Sequence, residues 1–397
     1  MRQEAGSGSE DVRREGHVAV VGGGPAGASA ALELARRGVE TIVLERGDGM
    51  GNPVGECLAP TINPLLHRLG LDGVLPASGA LPSHGNRSAW GGGGAPTERD
   101  FLRDPFGHGW HLDRLAFNAA LLDRVEAAGV PVWRRARVVS LERGLGGWTI
   151  GVELPDGRRN VTADGIIDAS GRAAVVARRL GVRRRRFDAQ VAVVGVLEPA
   201  AGASPLRDAT TTIEAVESGW WYAALLPDER LVATFFTDPD LLADMGVWRL
   251  AVWQRQLRAS ELIFGLVSRY GYAMPERVQT VGAGSSLLTE PAGEGWAAAG
   301  AAAAAYDPLS SHGIGSALAG GRLAATALAA ALQGDDGALA DYGQEIRAGF
   351  ARYLWIRRAY YADERRWPDA PFWTRRQTGA SGHEPASAAR QAVLREC

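Results

Sequence analysis

The sequence predicts an α/β protein: a doubly wound dinucleotide-binding domain, an antiparallel sheet inserted into it, and a helical C-terminal segment. Three observations carry that prediction. An apolar run at 18–21 ends in glycines and is followed by an Ala/Leu-rich stretch at 25–37 and a second apolar run at 40–44, the strand–helix–strand order of a mononucleotide-binding unit. Between 191 and 237, Val, Ala, Thr and aromatic residues alternate as in antiparallel strands. From 336 to 373 the pattern is helical, with Trp, Tyr and Arg on one face.

Taken in order, Gly38 closes the first helix as a C-cap residue. Residues 112–128 form an amphipathic helix that Gly129 and Pro131 stop. Strands are expected at 137–141, 148–154 and 158–163, with Pro155-Asp156-Gly157 as a hairpin turn, and at 165–167, ending in Asp168. A strand at 295–300 precedes a small-residue helix at 311–332. The domain division is 17–80, 108–190 and 277–332 for the cofactor domain and 81–107 and 191–276 for a substrate domain. Residues 333–375 make the C-terminal helical segment, 1–16 a disordered leader and 376–397 a flexible tail.

Composition narrows the chemistry. The chain has 397 residues, 46% of them hydrophobic, and a net charge of -2, which supplies a core and gives no electrostatic reason to bind nucleic acid. All 43 basic residues are arginine, so no Schiff-base or lysine acid–base chemistry is available. Two cysteines, Cys57 and Cys397, make neither a disulfide framework nor a zinc cluster, which fits a reducing, cytoplasmic compartment. Residues 1–16 lack the apolar core of a signal peptide, and the Ala-rich stretches are interrupted too often to read as a membrane span.

The stretch Val20-Val21-Gly22-Gly23-Gly24-Pro25-Ala26-Gly27 fits G-x-G-x-x-G between a strand and a helix. Gly22 permits the tight turn, Gly24 lets a pyrophosphate approach the backbone, and Gly27 allows close helix–strand packing. The helix N-terminus opened by Pro25 and Ala26 offers free N–H groups to phosphate. Glu45, about twenty residues on, is placed to accept from the ribose hydroxyls.

Three further segments resemble the group A flavoprotein family, which has the p-hydroxybenzoate hydroxylase fold and includes aromatic hydroxylases and flavin-dependent halogenases. Asp168-Ala169-Ser170-Gly171-Arg172 looks like its D-x-[ST]-G-R segment, Asp113-Arg114 like its cofactor-proximal arginine, and the run from Gly300 through Pro308 to Gly313 like its G-D-A-A-x-x-x-x-P segment. The resemblance spans about residues 18–375. It implies a glutathione-reductase-like FAD domain interleaved with an antiparallel substrate domain. It further implies FAD contacts from Gly22, Gly24, Pro25, Ala26, Gly27, Glu45, Arg46, Gly55, Arg114, Asp168, Gly171, Gly300, Ala301, Pro308, Ser311 and Gly313. A helix starting near Ser310 aims a positive dipole end at the flavin. The family's acidic residue after the glycine is here Ala301. Its loss removes a charge-assisted hydrogen bond worth roughly 1.5–3 kcal/mol, or ~10–100-fold in FAD affinity.

Gly51-Asn52-Pro53-Val54-Gly55-Glu56-Cys57-Leu58-Ala59-Pro60 resembles the V-G-E-[SA]-x-x-P loop of a narrower group, the tryptophan halogenases and the flavoprotein maturases of tryptophan-derived quinone cofactors. Gly219-Trp220-Trp221-Tyr222 and Arg365-Arg366-Trp367-Pro368 look like the maturase side. Halogenases of the group use a lysine and carry W-x-W-x-I-P; this chain has no lysine, and Trp220-Trp221-Tyr222-Ala223-Ala224-Leu225 does not complete the motif. The resemblance therefore implies a monooxygenase that hydroxylates an indole-, tryptophan- or phenol-like ring, free or within a peptide or protein, through a flavin C4a-hydroperoxide. O2 is then the co-substrate, with NAD(P)H or a separate flavin reductase as electron source. A non-oxygenating flavin oxidase or reductase, and an FAD-poor binding protein, stay open beside it.

Candidate catalytic residues are His312, as substrate contact or helix cap, and Glu56, as acid–base or as a loop-orienting partner of an arginine. Candidate substrate residues are Cys57, Trp221 and Tyr306, with sheet-core or space-filling roles as the alternatives. Asp307 is expected to shape the turn before Pro308, and Tyr353, Trp355, Tyr360 and Tyr361 to pack the C-terminal helix. The run Arg183-Arg184-Arg185-Arg186 is a solvated edge or a greeting for an anionic partner. No metal ligands are expected.

Overall fold

A computed structural model describes residues 17–47, 55–92, 94–203, 206, 209–311 and 313–377. The leader expected at 1–16, most of the tail, Cys397 and His312 lie outside them.

The first strand, His17–Val21, is buried at every position, which is why it reads as a continuous apolar run rather than an alternating one. It is the centre of a six-stranded sheet ordered Ala292–Gly293, Trp296–Ala298, Gly165–Asp168, His17–Val21, Glu40–Glu45, Val132–Arg134. Those neighbours are parallel except the outermost pair, Ala292–Gly293 with Trp296–Ala298. The expected strand at 295–300 is shortened because Gly300 takes a positive φ of 58° and starts a tight turn. Helix Pro25–Arg36 packs one face of this sheet, and the three-stranded meander Arg137–Gly144, Gly147–Leu154, Gly157–Ala163 closes the other.

Helix Gly313–Leu332 is long and apolar enough to cross a bilayer, contrary to the sequence reading, yet its composition has an internal cause. It lies against Pro25–Arg36, with Gly320, Gly321, Ala324 and Leu328 buried. A Cβ on Gly321 would stand 2.1 Å from the Ala26 carbonyl oxygen, so small residues are what let the two helices meet.

The second sheet has seven strands, ordered Val278–Gly282, Val191–Leu197, Leu231–Thr237, Gly219–Leu225, Thr210–Val216, Gly85–Ala89, Thr97–Asp100. It is antiparallel except where Thr210–Val216 runs parallel to Gly85–Ala89. The domain division needs one change: Val278–Gly282 pairs with Val191–Leu197 and so belongs to this sheet, not to the cofactor domain. One face carries Val193, Trp221 and Phe235 against Trp253 and Ile263 of helices Leu250–Ala259 and Leu262–Arg269. The other carries Trp220 and Phe236 against Tyr361, Phe372 and Trp373 of the C-terminal segment.

That segment is two helices, not one. Ala338–Asp363 stops at Glu364, whose backbone is extended, and Pro371–Gln377 follows. Arg376 and Gln377, assigned to the tail from sequence, sit in this last helix. Arg376 is buried and forms a salt bridge to Asp238. The expected packing role of the tyrosines holds for Tyr353 and Tyr361, both buried, whereas Trp355 is exposed. Arg357 is the hinge-pin of the arrangement. Its guanidinium meets Asp307 at 2.9 Å and Asp188 at 3.1 Å, and the Tyr361 hydroxyl also donates to Asp307. Asp307 in turn accepts from the Leu309 N–H, so the C-terminal helix fixes the turn Pro308–Ser310 from behind.

Candidate functional site

The glycine loop is built by close approaches. Gly22 has φ 108°, and a Cβ there would lie 2.4 Å from the Ala169 carbonyl oxygen. A Cβ on Gly27 would lie 1.8 Å from the Gly22 carbonyl oxygen. Both positions exclude any side chain. Gly24, the N-cap of helix Pro25–Arg36, instead has nothing within 4 Å of its Cβ direction: the space a pyrophosphate would take is open. The Glu45 carboxylate accepts from the N–H groups of Gly23 and Gly47, which holds it at the mouth of the loop with lone pairs left for ribose hydroxyls. Arg46 follows it, exposed.

Gly300 joins this loop from the far end of the sheet: its added Cβ would meet the Ala26 Cβ at 2.8 Å. Ala301, half-buried, begins the chain's passage to the Pro308–Ser310 turn. Ser311 takes φ 51°, and the exposed Gly313 opens the 20-residue helix Gly313–Leu332. An Ala301→Asp variant is expected to raise FAD affinity by ~10–100-fold, the value of one charge-assisted hydrogen bond. FAD titration followed by flavin fluorescence measures it, and no gain means that position 301 does not face the ribityl chain.

Asp168 is a correction. It is fully buried, and its carboxylate accepts from Ser170 N and Oγ on one oxygen and from Val176 N and Ala177 N on the other. It therefore shapes the turn containing Gly171 and caps the helix that follows. Arg172 donates to the carbonyls of Gly284 and Tyr306, tying that turn to the Pro308 segment. Within the arginine run, Arg184 is likewise engaged, with the Ser286 hydroxyl and the Ala302 carbonyl, rather than solvated.

Glu56 and Arg114 stand together. Asp113 caps helix Arg114–Ala127 through the N–H groups of Leu115 and Ala116, which places Arg114 at its first turn. Arg114 donates to the Gly55 carbonyl at 3.1 Å, and Gly55 has φ 98°. Glu56 is buried beside this arginine; burial pushes its carboxyl up from the usual range, and Arg114 only partly offsets that. Of the two readings of Glu56, the structure brings the arginine to it. Cys57 Sγ lies 2.9 Å from the Tyr222 hydroxyl and 3.0 Å from Thr211 Oγ1. Burial pushes the thiol up to about 12, so it stays a thiol at neutral pH.

The remaining candidates divide. Trp221 is on the wrong face: side chains in a strand alternate, so Trp221 packs on Trp253 and Phe235 while Tyr222 points toward Cys57. Tyr306 stacks edge-on against Tyr353 at 4.8 Å and bonds Ser316, away from the Cys57 cluster. The structure brings Tyr222, which the sequence marked within the maturase-like Gly219–Tyr222 segment, together with Thr211 and His111, which the sequence did not single out. Period-two alternation through Trp221 was the further signal for Tyr222; Thr211 and His111 had none.

The arrangement fits FAD on the chain's own terms: two cradles closed to any Cβ, an open approach at Gly24, a carboxylate held at the mouth of the loop, and a second helix N-terminus at Gly313. The comparisons agree. The family described as "FAD binding domain" matches residues 15–355. A protein named as a putative FAD-dependent oxidoreductase, LodB of Marinomonas mediterranea, is 31% identical over 360 residues, covering 90% of this chain and 95% of LodB. A tryptophan 2-halogenase of Chondromyces crocatus is 26% identical over 91% of this chain and 70% of its own length. Among solved structures, the peptidyl tryptophan dihydroxylase QhpG, described as essential for tryptophylquinone cofactor biogenesis, superposes with a TM-score of 0.76 at 29% identity, over 94% of this chain and 80% of QhpG.

Proposed function

From the premise that this chain belongs to the FAD-binding-domain family of oxidoreductases, we propose that it is a monooxygenase that hydroxylates an aromatic ring, indole or phenol, carried on a peptide or protein. Halogenases and hydroxylases share this fold, so fold does not separate them. The observation that carries the proposal is the complete absence of lysine, together with Tyr222 where the halogenase motif has its second tryptophan. The likeness to QhpG across nearly the whole chain supports a peptide-borne substrate. A reducing, cytoplasmic setting, with NAD(P)H or a partner reductase as electron source, belongs to the same reading.

Bound FAD, once reduced, supplies the activation of O2. The chain's tasks are positioning and exclusion. Residues 22–27 and Glu45 hold the dinucleotide. The N-terminus of Gly313–Leu332 favours negative charge on the ring system. Leu309, Cys57 and Tyr222 border the same aromatic cluster and keep that side apolar. Glu56 supplies a buried carboxyl beside Arg114. Turnover of a tryptophan-bearing peptide under labelled oxygen gas tests the reading: oxygen-18 in the ring is expected. Label-free hydroxyl groups would overturn it, and chlorinated or brominated product in halide buffer would favour the halogenase reading.

A further inference from the structure

One helix face joins the two ends of the expected dinucleotide path, and one polar atom on it has no partner among the described residues. In helix Arg114–Ala127, residues 114, 118 and 122 are spaced by four and so lie on one face. Contacts place both ends of that face. Arg114 donates to the Gly55 carbonyl oxygen at 3.1 Å. Leu122 comes so close to the glycine loop that a Cβ on Gly23 would stand 2.9 Å from its Cδ2, and 3.1 Å from the Glu45 carboxylate. Gly55 and Glu45 are both expected FAD contacts. The face therefore runs beside the cofactor path for eight residues, ~12 Å at the helical rise.

Asn118 stands between those ends. Its Oδ1 is buried and accepts from no donor among the described residues. The residue as a whole is half-buried, so it is the oxygen end of the amide that is shut away from water. A buried acceptor without a partner destabilises the folded state, and native chains leave few of them. The neighbours along the face offer no remedy: Leu122 is apolar, and Arg114 reaches to Gly55.

The chemistry of FAD limits what can answer this oxygen. Pyrophosphate oxygens only accept at neutral pH, so they cannot bond a carbonyl oxygen. The adenine amino group and the flavin N3–H lie at the two extremities of the cofactor. The donors along its middle are hydroxyl groups, on the ribityl chain and on the adenosine ribose. We propose that Asn118 Oδ1 accepts a hydrogen bond from one of these sugar hydroxyls. Asn118 is then a binding residue for the middle of FAD, and its oxygen is satisfied only in the complex. A phosphate-binding loop alone lets a dinucleotide slide along it. A hydroxyl acceptor on a rigid helix, fixed relative to that loop, sets the register of the cofactor and with it the depth of the flavin ring. The proposal rests on FAD binding and is independent of the reaction that the flavin performs.

The test uses the full chain, freed of FAD and titrated with it. Asn118→Leu keeps the size of the side chain and removes the acceptor. Two effects of opposite sign are expected. The FAD-free variant should melt about 2–4 °C above the parent, because a buried unpaired oxygen is gone. Its affinity for FAD, read from flavin fluorescence, should fall about tenfold. An asparagine that only props the helix would lower stability and affinity together; that result overturns the proposal, as does unchanged FAD affinity. FAD analogues that each lack one hydroxyl, on the ribityl chain or on the adenosine ribose, then identify the donor. One of them should bind the parent about tenfold more weakly than FAD does, yet bind Asn118→Leu as well as FAD does, since that bond is already missing there. Which analogue behaves so tells ribityl from ribose. If every analogue loses the same factor in both proteins, no hydroxyl meets Asn118 and the proposal is wrong. If Asn118→Leu responds as stated while no indole or phenol is hydroxylated, the Asn118 contact stands and the hydroxylase reading fails.

Discussion

Gly27→Ala is expected to lose FAD almost completely. The new methyl would sit 1.8 Å from the Gly22 carbonyl oxygen and 3.3 Å from the Ala169 side chain, with strand on one side and helix on the other. The loop can relieve this only by leaving the shape that receives the pyrophosphate. Strain of about 3 kcal/mol, the upper part of the range for overpacking, corresponds to a loss of about 150-fold in affinity. Gly24→Ala is the informative companion. Nothing lies within 4 Å of its added Cβ, so the protein should fold unchanged and yet reject FAD, because the methyl occupies ligand space. Flavin titration and thermal melts of the FAD-free protein separate the two variants: both should lose binding, and only Gly27→Ala should lose stability. Wild-type affinity in Gly27→Ala would mean that the closure of Gly22 on Gly27 does not form the cradle.

Arg357→Leu is expected to destabilise the fold more than any other single change in the C-terminal segment. Arg357 is 9% exposed and answers two carboxylates, Asp307 and Asp188, which are themselves almost wholly buried. Removing the cation takes from both the guanidinium that contacts them, a defect that costs about 3–5 kcal/mol. At roughly 2–4 °C per kcal/mol for large domains, Tm should fall by about 10 °C. Because Asp307 also accepts from the Leu309 N–H, the Pro308–Ser310 turn should loosen as well. Urea denaturation followed by tryptophan fluorescence measures the first effect, and a weakened FAD complex the second. A variant that melts within a degree of the parent would mean that Arg357 does not pin the C-terminal segment.

What the sequence made legible was local. The glycine spacing of residues 22–27, Glu45 at its fixed offset, and the buried apolar strands on either side are all written within thirty residues, and each is where it was expected. The alternation between 191 and 237 correctly signalled an antiparallel sheet, which the structure builds from four strands in that span. What could not be read was whatever depends on register or on distant partners. Val278–Gly282 is a sheet-edge strand with largely exposed residues, so no apolar alternation marks it. Asp168 has the right residue type in the right motif, but only the donors around it reveal that its oxygens are already used. Trp221 and Tyr222 are one residue apart, and choosing between them required knowing which face of the sheet meets the cofactor domain. The cluster of Cys57, Thr211, Tyr222 and His111 draws on segments up to about 165 residues apart, and no local pattern announces it.

The six-stranded sheet also dictates when the molecule can come into being. His17–Val21 needs Gly165–Asp168 beside it, and that strand needs Trp296–Ala298 on its other edge. The strands of the nucleotide-binding half are thus made far apart in the chain. Contacts between residues so far apart in the chain are slow to form, because the intervening loop must be closed before any of them is rewarded. Until residues near 168 emerge the opening strand has an unpaired apolar edge, and until residues near 298 emerge Gly165–Asp168 has one. Synthesis therefore carries a long interval in which these edges are open to misassembly.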